Sequence, residues 1–166
     1  MNEIIKKIFD TLDSLEIEYT YITHEEYHNM AECAVAGKKL GAEFCKNLFL
    51  QDRQGREFFL LLLVGEKKFR TAEVSKQINR SRLSFGSDEK LYELMKEKGG
   101  SINPLGLIFD TDHTVNLLID SDLKNYEYIC FHPSDGRYSL KMRYKDFTDK
   151  FLPYAGYTPT YIVVSE

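Results

Sequence analysis

The chain has no tryptophan, few prolines and only three cysteines in 166 residues. Cys33, Cys45 and Cys130 are odd in number and lack the close pairing of a zinc or redox motif, which argues against a disulfide-stapled fold and for reduced thiols. No apolar run approaches a membrane span, and Met1 leads straight into an amphipathic pattern with no signal-peptide character. A cytoplasmic protein with no membrane partner is therefore expected. Neither sign of charge dominates: 22 Lys and Arg stand against 26 Asp and Glu, a net charge of -4, which is not the basic balance of a nucleic-acid coat, and no DNA partner is expected. Walker A, G-x-G-x-x-G and G-x-S-x-G patterns are absent, disfavouring ATP hydrolysis, dinucleotide redox chemistry and ordinary serine hydrolysis. Repeats, linkers and low-complexity tracts are missing too. With 43% apolar residues, the chain can bury a core as one domain spanning residues 1–166.

What is present centres on Cys45-Lys46-Asn47-Leu48-Phe49-Leu50-Gln51-Asp52. Strand alternation puts Lys46, Leu48 and Leu50 on one face and Asn47, Phe49 and Gln51 on the other, so both faces carry large apolar groups. A lysine at the mouth of such a strand either snorkels to water or points a fixed positive charge into a cleft.

Around this strand the pattern alternates helices with strand pairs. Ile4, Ile5, Ile8, Leu12 and Leu15 predict an amphipathic helix over residues 2–15, followed by a short strand at Tyr19–Thr23 and a polar connection at His24–Asn29. Met30–Leu40 reads as a helix stopped by Gly41, and the apolar run Phe58–Val64 as a central strand in a hairpin with the Lys46 strand. Thr71–Ile78 predicts a helix, Arg82–Phe85 a strand or connection, and Ser87 caps a further helix that Gly99-Gly100 should stop. Leu105–Phe109 and Val115–Ile119 read as a second hairpin, and Tyr126–His132 with Tyr138–Met142 as a third, across the turn Pro133–Gly136. Tyr144–Phe151 reads as a short helix and Thr160–Val164 as a closing strand. The expected fold is α/β (mixed α+β): a curled, barrel-like mixed sheet with helices packed outside.

Four constellations bear on chemistry. His24-Glu25-Glu26-Tyr27-His28 matches H-E-x-x-H, but it follows a strand, lies in a polar stretch and has no third ligand, so no metal is expected. Cys130 and His132 share a strand face, yet side chains two apart diverge from hydrogen-bonding geometry, and Cys130 reads as a core cysteine. The segment containing Lys67, Lys68, Arg70 and Arg80 is locally basic and suits RNA phosphates, against the simpler reading of a solvated helix face. Gly100-Ser101-Ile102-Asn103-Pro104 is a loop in which glycine lets backbone approach a ligand, so that N–H groups can face a carbonyl oxygen.

Lys46-Asn47-Leu48-Phe49-Leu50, Gly100-Ser101-Ile102-Asn103-Pro104-Leu105-Gly106-Leu107 and Phe131-His132-Pro133 occur in the order and spacing of the YbaK/ProX family, and the similarity runs over most of the chain. That family comprises free-standing relatives of the editing domain of bacterial prolyl-tRNA synthetase. Its members hydrolyse amino acids wrongly esterified to tRNA for proline. The chain looks most like the ProX branch, which deacylates alanyl-tRNA(Pro). The resemblance implies the prolyl-tRNA synthetase-associated fold, Lys46 as the essential lysine, Gly100 and Pro104 as the ends of the G-x-x-x-P loop, and His132 as the pocket histidine. It further implies Asn47, Ser101, Ile102, Asn103 and Pro104 as substrate-binding residues, with Asn103 a departure where relatives often carry Ser or Thr. No cofactor is implied; the partner is mischarged tRNA(Pro), with prolyl-tRNA synthetase as a second candidate. An aminoacyl ester is already reactive, so oriented water and oxyanion stabilisation suffice without a catalytic triad. The alternatives are a cysteinyl-tRNA(Pro) deacylase of the YbaK branch, a non-catalytic binder of tRNA ends or small ligands on the same scaffold, and a metalloprotein using His24 and His28.

Overall fold

A computed structural model describes residues 2–25, 30–132 and 137–166. The turn expected at Pro133–Gly136 and most of the His24–His28 motif lie outside the described residues. Helix α1 (Glu3–Ser14) opens on Asn2, whose Oδ1 accepts the Ile5 N–H at 2.9 Å, and it buries Ile5, Ile8, Phe9 and Leu12. Each such side chain contributes about 1.5–3 kcal/mol on burial. Strand β1 (Tyr19–Thr23) and helix α2 (Met30–Leu40) follow. Gly41, at φ +70°, takes the left-handed conformation that ends α2.

Strands β2 (Glu43–Gln51) and β3 (Phe58–Val64) form the expected hairpin, in register from Cys45↔Val64 to Gln51↔Phe58. Helix α3 (Thr71–Gln77), the two-residue strand β4 (Ser84–Phe85) and helix α4 (Asp88–Met95) come next, then β5 (Val115–Asp120), β6 (Tyr128–Phe131), β7 (Tyr138–Arg143) and β8 (Thr160–Ile162). The eight strands make one mixed sheet in the order β1-β7-β6-β2-β3-β5-β8, with β4 beside β2. β2–β6, β3–β5 and β5–β8 are parallel; the other pairs are antiparallel. The sheet is curled but not closed. One face of it and α1 hold the main core, including Cys45, Phe49, Leu60, Leu62, Ile129 and Phe131. A second apolar cluster lies on the opposite face around Leu50, Leu61, Leu63 and Val74 of α3, and a small third one joins Cys33, Phe44 and Cys130.

Two elements differ from expectation. Pro104–Phe109 is a 3-10 helix and not the first strand of a hairpin: Pro104 fits its first turn, and Asn103 caps it by accepting the Leu105 N–H at 3.0 Å. β5 consequently pairs with β3 and β8. Helix α4 stops at Met95, before the Gly99-Gly100 pair, because Lys96 turns left-handed at φ 58° and the next residue, Glu97, goes fully inside. The Glu97 carboxylate there accepts the Asn103 N–H at 3.0 Å.

Gly106 makes room for that carboxylate, since a Cβ on it would meet the Glu97 side chain and, at 2.8 Å, the Met95 carbonyl oxygen. Gly106→Ala is expected to destabilise the protein by roughly 1–3 kcal/mol through overpacking, read as a lower urea midpoint with an unchanged slope. An unchanged midpoint would mean that Glu97 is free to swing aside.

Candidate active site

One edge of β2 pairs with β3 from Cys45 to Gln51, whereas the other changes neighbours. Glu43 and Phe44 pair with β6, Leu50 and Gln51 pair with β4, and the Gly86 N–H reaches Phe49 O at 2.9 Å. Between these ends, the edge around Lys46–Leu48 has no strand beside it among the described residues. The sheet forks there. The parallel register ends at Phe44↔Cys130, two residues before Lys46 and two before His132, so both stand just beyond the last paired positions.

The Gly100 loop is tied to this place by Asn103, which is fully buried. Its Nδ2 donates to the carbonyls of Ser101, at 3.2 Å, and of His132. Its N–H is held by Glu97 and its Oδ1 by Leu105 N–H. Asn103 therefore serves as a clamp between loop and strand, with both amide hydrogens committed, and not as the substrate contact expected from sequence. Pro104 is buried at the start of the 3-10 helix, Ser101 is buried, and Ile102 packs on the main core. Gly100 sits at φ +91°, a conformation that favours glycine. The Ser101 N–H is taken by Lys98 O at 3.1 Å and that of Asn103 by Glu97, leaving the Gly100 and Ile102 N–H groups without a protein acceptor among the described residues.

Lys46 is half-buried, and its Nζ donates to the Lys67 carbonyl oxygen at 2.8 Å. A lysine has three donors, so two remain. Asn47 faces the other way, with Cys45 and Phe49. Its Nδ2 donates to Cys45 O at 3.2 Å, and its buried Oδ1 has no hydrogen-bond partner among the described residues. Buried acceptors of this kind cost about 1–3 kcal/mol and are uncommon without a reason.

His132 is buried, with Nδ1 2.8 Å from the Tyr138 carbonyl and 3.2 Å from Ser139 Oγ. A carbonyl only accepts, so Nδ1 carries a proton. Nε2 lies 3.2 Å from Cys33 Sγ of α2, and the Phe44 ring centroid lies 4.8 Å from the imidazole. His24 Nε2 joins the cluster through Ser139 Oγ at 2.7 Å. Cys130 is fully buried, and burial pushes its thiol up to about 12; the sulfur that meets His132 comes from Cys33. Sequence reading missed Cys33, because nothing local marks which helix will cover the end of β6. Among the described residues no group of three His, Cys, Asp or Glu is arranged to hold a metal.

The basic segment is placed differently from expectation. Lys67 is buried, and its Nζ spends its donors on Asp120, on Asp122 at 2.6 Å and on Val164 O at 2.9 Å, so none remains for a phosphate. Arg80 forms a bidentate pair with Glu57, with both contacts at 2.6 Å, and Arg70 donates to Ser165. Lys68 is exposed.

Burial, with the Glu32 charge adding, raises the Cys33 thiol from 9.0 to about 11. At neutral pH it is therefore a thiol that donates to His132 Nε2. The thiolate fraction should fall about a hundredfold, and iodoacetamide at neutral pH should label Cys33 at least that much more slowly than a free cysteine. Rapid labelling would show instead that the proton has passed to His132.

Residues 24–150 match the aminoacyl-tRNA editing domain family. The chain is 28% identical over 135 residues to the prolyl-tRNA editing protein ProX of Acetoanaerobium sticklandii, spanning 81% of this chain and 82% of that one. It is 26% identical over 159 residues to the prolyl-tRNA synthetase associated domain-containing protein 1 of Danio rerio, spanning 95% of this chain and 85% of the other. A crystal structure described provisionally as a trans-editing enzyme for prolyl tRNA synthetase superposes with a TM-score of 0.73 at 16% identity, covering 99% of each chain, which establishes the fold alone. Lys46, the Gly100 loop and His132 all fall inside the matched span, and the chain belongs to the aminoacyl-tRNA editing domain family, as a hydrolase that removes amino acids from tRNA.

Proposed function

We propose that this chain is a trans-editing hydrolase that removes alanine wrongly esterified to tRNA(Pro), working in the cytoplasm on the aminoacylated tRNA end. The reading rests on one observation above the others: β2 and β6 part after Phe44↔Cys130, two residues before Lys46 on one chain segment and His132 on the other, and Asn103 ties the Gly100 loop to the His132 carbonyl. In this reading the two remaining donors of Lys46 anchor the terminal adenosine or its phosphate and fix the ester. The unpartnered N–H groups of Gly100 and Ile102 receive the negative charge that develops on the ester carbonyl oxygen. A water molecule, assisted by the neighbouring ribose hydroxyl, attacks the ester, and the tRNA hydroxyl leaves with a proton.

Packing of Cys33 and Phe44 on His132 supports a sieve for small side chains, because a pocket bounded by buried groups rejects a prolyl ring on volume while admitting a methyl group. Of the basic segment, exposed Lys68 is retained as a phosphate contact. Prolyl-tRNA synthetase is the partner that would deliver the substrate. The names of the relatives in Acetoanaerobium sticklandii and Danio rerio support the choice of proline tRNA.

Deacylation of alanyl-, cysteinyl- and prolyl-tRNA(Pro) by the wild type and by Lys46→Ala tests the proposal. The expected outcome is selective loss of alanine, slowed by roughly a hundredfold or more in Lys46→Ala. Preferred loss of cysteine would replace the substrate and keep the reaction. Undiminished turnover in Lys46→Ala would remove the lysine from the mechanism.

A further inference from the structure

Lys67 has the sequence of a surface cation and the environment of a core residue. It closes the turn after β3, where its N–H donates to Val64 O at 3.0 Å. Its side chain is 5% exposed and meets Asp120, itself fully buried at the end of β5. The contacts of Lys67 Nζ are 3.0 Å to Asp120 Oδ2, 2.6 Å to Asp122 Oδ2 and 2.9 Å to Val164 O. Asp120 also takes the Val64 N–H at 3.2 Å, so one carboxylate grips both ends of the turn. The carbonyl of Lys67 is thereby fixed, and it is this oxygen that accepts from Lys46 Nζ at 2.8 Å.

A buried ion pair is seldom more stabilising than apolar residues of the same volume, so stability alone gives a weak reason for this one. Position gives a better one. Lys46 has a long flexible stem whose ammonium must be brought to one place, and the Lys67 carbonyl is the acceptor that the structure provides for it. Burial alone would lower the pKa of Lys67, but its bonds to Asp122 and Asp120 outweigh that effect and raise it, so the anchoring charge persists through the neutral range.

We propose that Lys67 is a positioning residue: held by Asp120, Asp122 and Val164, it presents its carbonyl to the Lys46 ammonium and so sets where that ammonium meets the substrate. This rests on the reading of Lys46 as a substrate contact given above.

The test uses Lys67→Met, of similar length without the charge, and Asp122→Asn, which weakens the 2.6 Å contact from a half-exposed position and keeps the buried pair. In the full-length protein with ε-13C-lysine, the Lys46 signal is assigned by its loss in Lys46→Ala. Held in place, its two ε-protons should be distinct in the wild type and averaged in Lys67→Met, with Asp122→Asn intermediate. On alanyl-tRNA(Pro), Lys67→Met should lower kcat by roughly ten- to a hundredfold with KM within about twofold, and Asp122→Asn by a smaller factor in the same pattern. Neither substitution should reduce the residual single-turnover rate of Lys46→Ala further. Equal losses with and without Lys46, an unchanged Lys46 signal, or an unchanged kcat in a folded variant would each overturn the proposal. If Lys67→Met does not fold, Asp122→Asn carries the same comparison. Averaging of the Lys46 signal with no effect of Lys46→Ala on turnover would leave the link between the two lysines standing, but would sink Lys46 as a substrate contact and with it the positioning role.

Discussion

A strand that changes partners leaves a length of backbone edge without a ladder, and this constraint organises the structure. β2 is continuous with β3 on one side, but β6 takes the first part of its other edge and β4 the last. Closing the gap with a further strand would satisfy the backbone and remove the opening beside Lys46. Keeping it open leaves polar groups to be matched locally, and the chain does so sparingly: Gly86 covers Phe49 O, the Asn47 amide covers Cys45 O, and Asn103 brings the Gly100 loop alongside. What stays unmatched among the described residues is a short list: Asn47 Oδ1 and the N–H groups of Gly100 and Ile102. An editing site of this kind needs no powerful nucleophile.

The candidate site is held from several directions by contacts between residues remote in sequence. His132 is fixed by Tyr138, Ser139 and Cys33; Asn103 by Glu97 and Leu105; Lys46 through Lys67 by the ends of β5 and β8. Most of these ties are polar and buried, and each is costly to break singly. Removing one partner of a buried ion pair such as Lys67–Asp120 strands the other charge, at about 3–5 kcal/mol. Such a site tolerates little drift, as expected where geometry and not intrinsic reactivity does the chemistry.

Much of this was legible in the sequence because it is local. Alternation along Cys45–Gln51, the unbroken run Phe58–Val64 and the helical spacing of Ile5, Ile8 and Leu12 each depend on neighbours, and each element formed where the pattern put it. Lys46, the Gly100 loop and His132 were singled out through family resemblance, and all three fall inside the span matched by the family. Where local signals compete, reading failed. Leu105–Phe109 is apolar enough for a strand, but Pro104 and the Asn103 cap favour a 3-10 turn. Lys67 and Arg80 misled for a different reason: Asp120, Asp122 and Glu57, which neutralise these two, lie on other strands and turns. Cys33 was invisible as a site residue because it arrives on α2, whose docking over β6 is a tertiary fact.

The bond from Lys67 to Val164 spans 97 residues, and it gives the fold a timetable. A growing chain exposes Lys46 early and can form the β2–β3 hairpin at once, yet the oxygen that completes the grip on Lys67 emerges only after β8 has been made. The hairpin can therefore fold during synthesis with the lysine unsupported, and full support comes as one of the last contacts of assembly. In a growing polypeptide, Lys46 is made long before the contacts that fix its acceptor are complete.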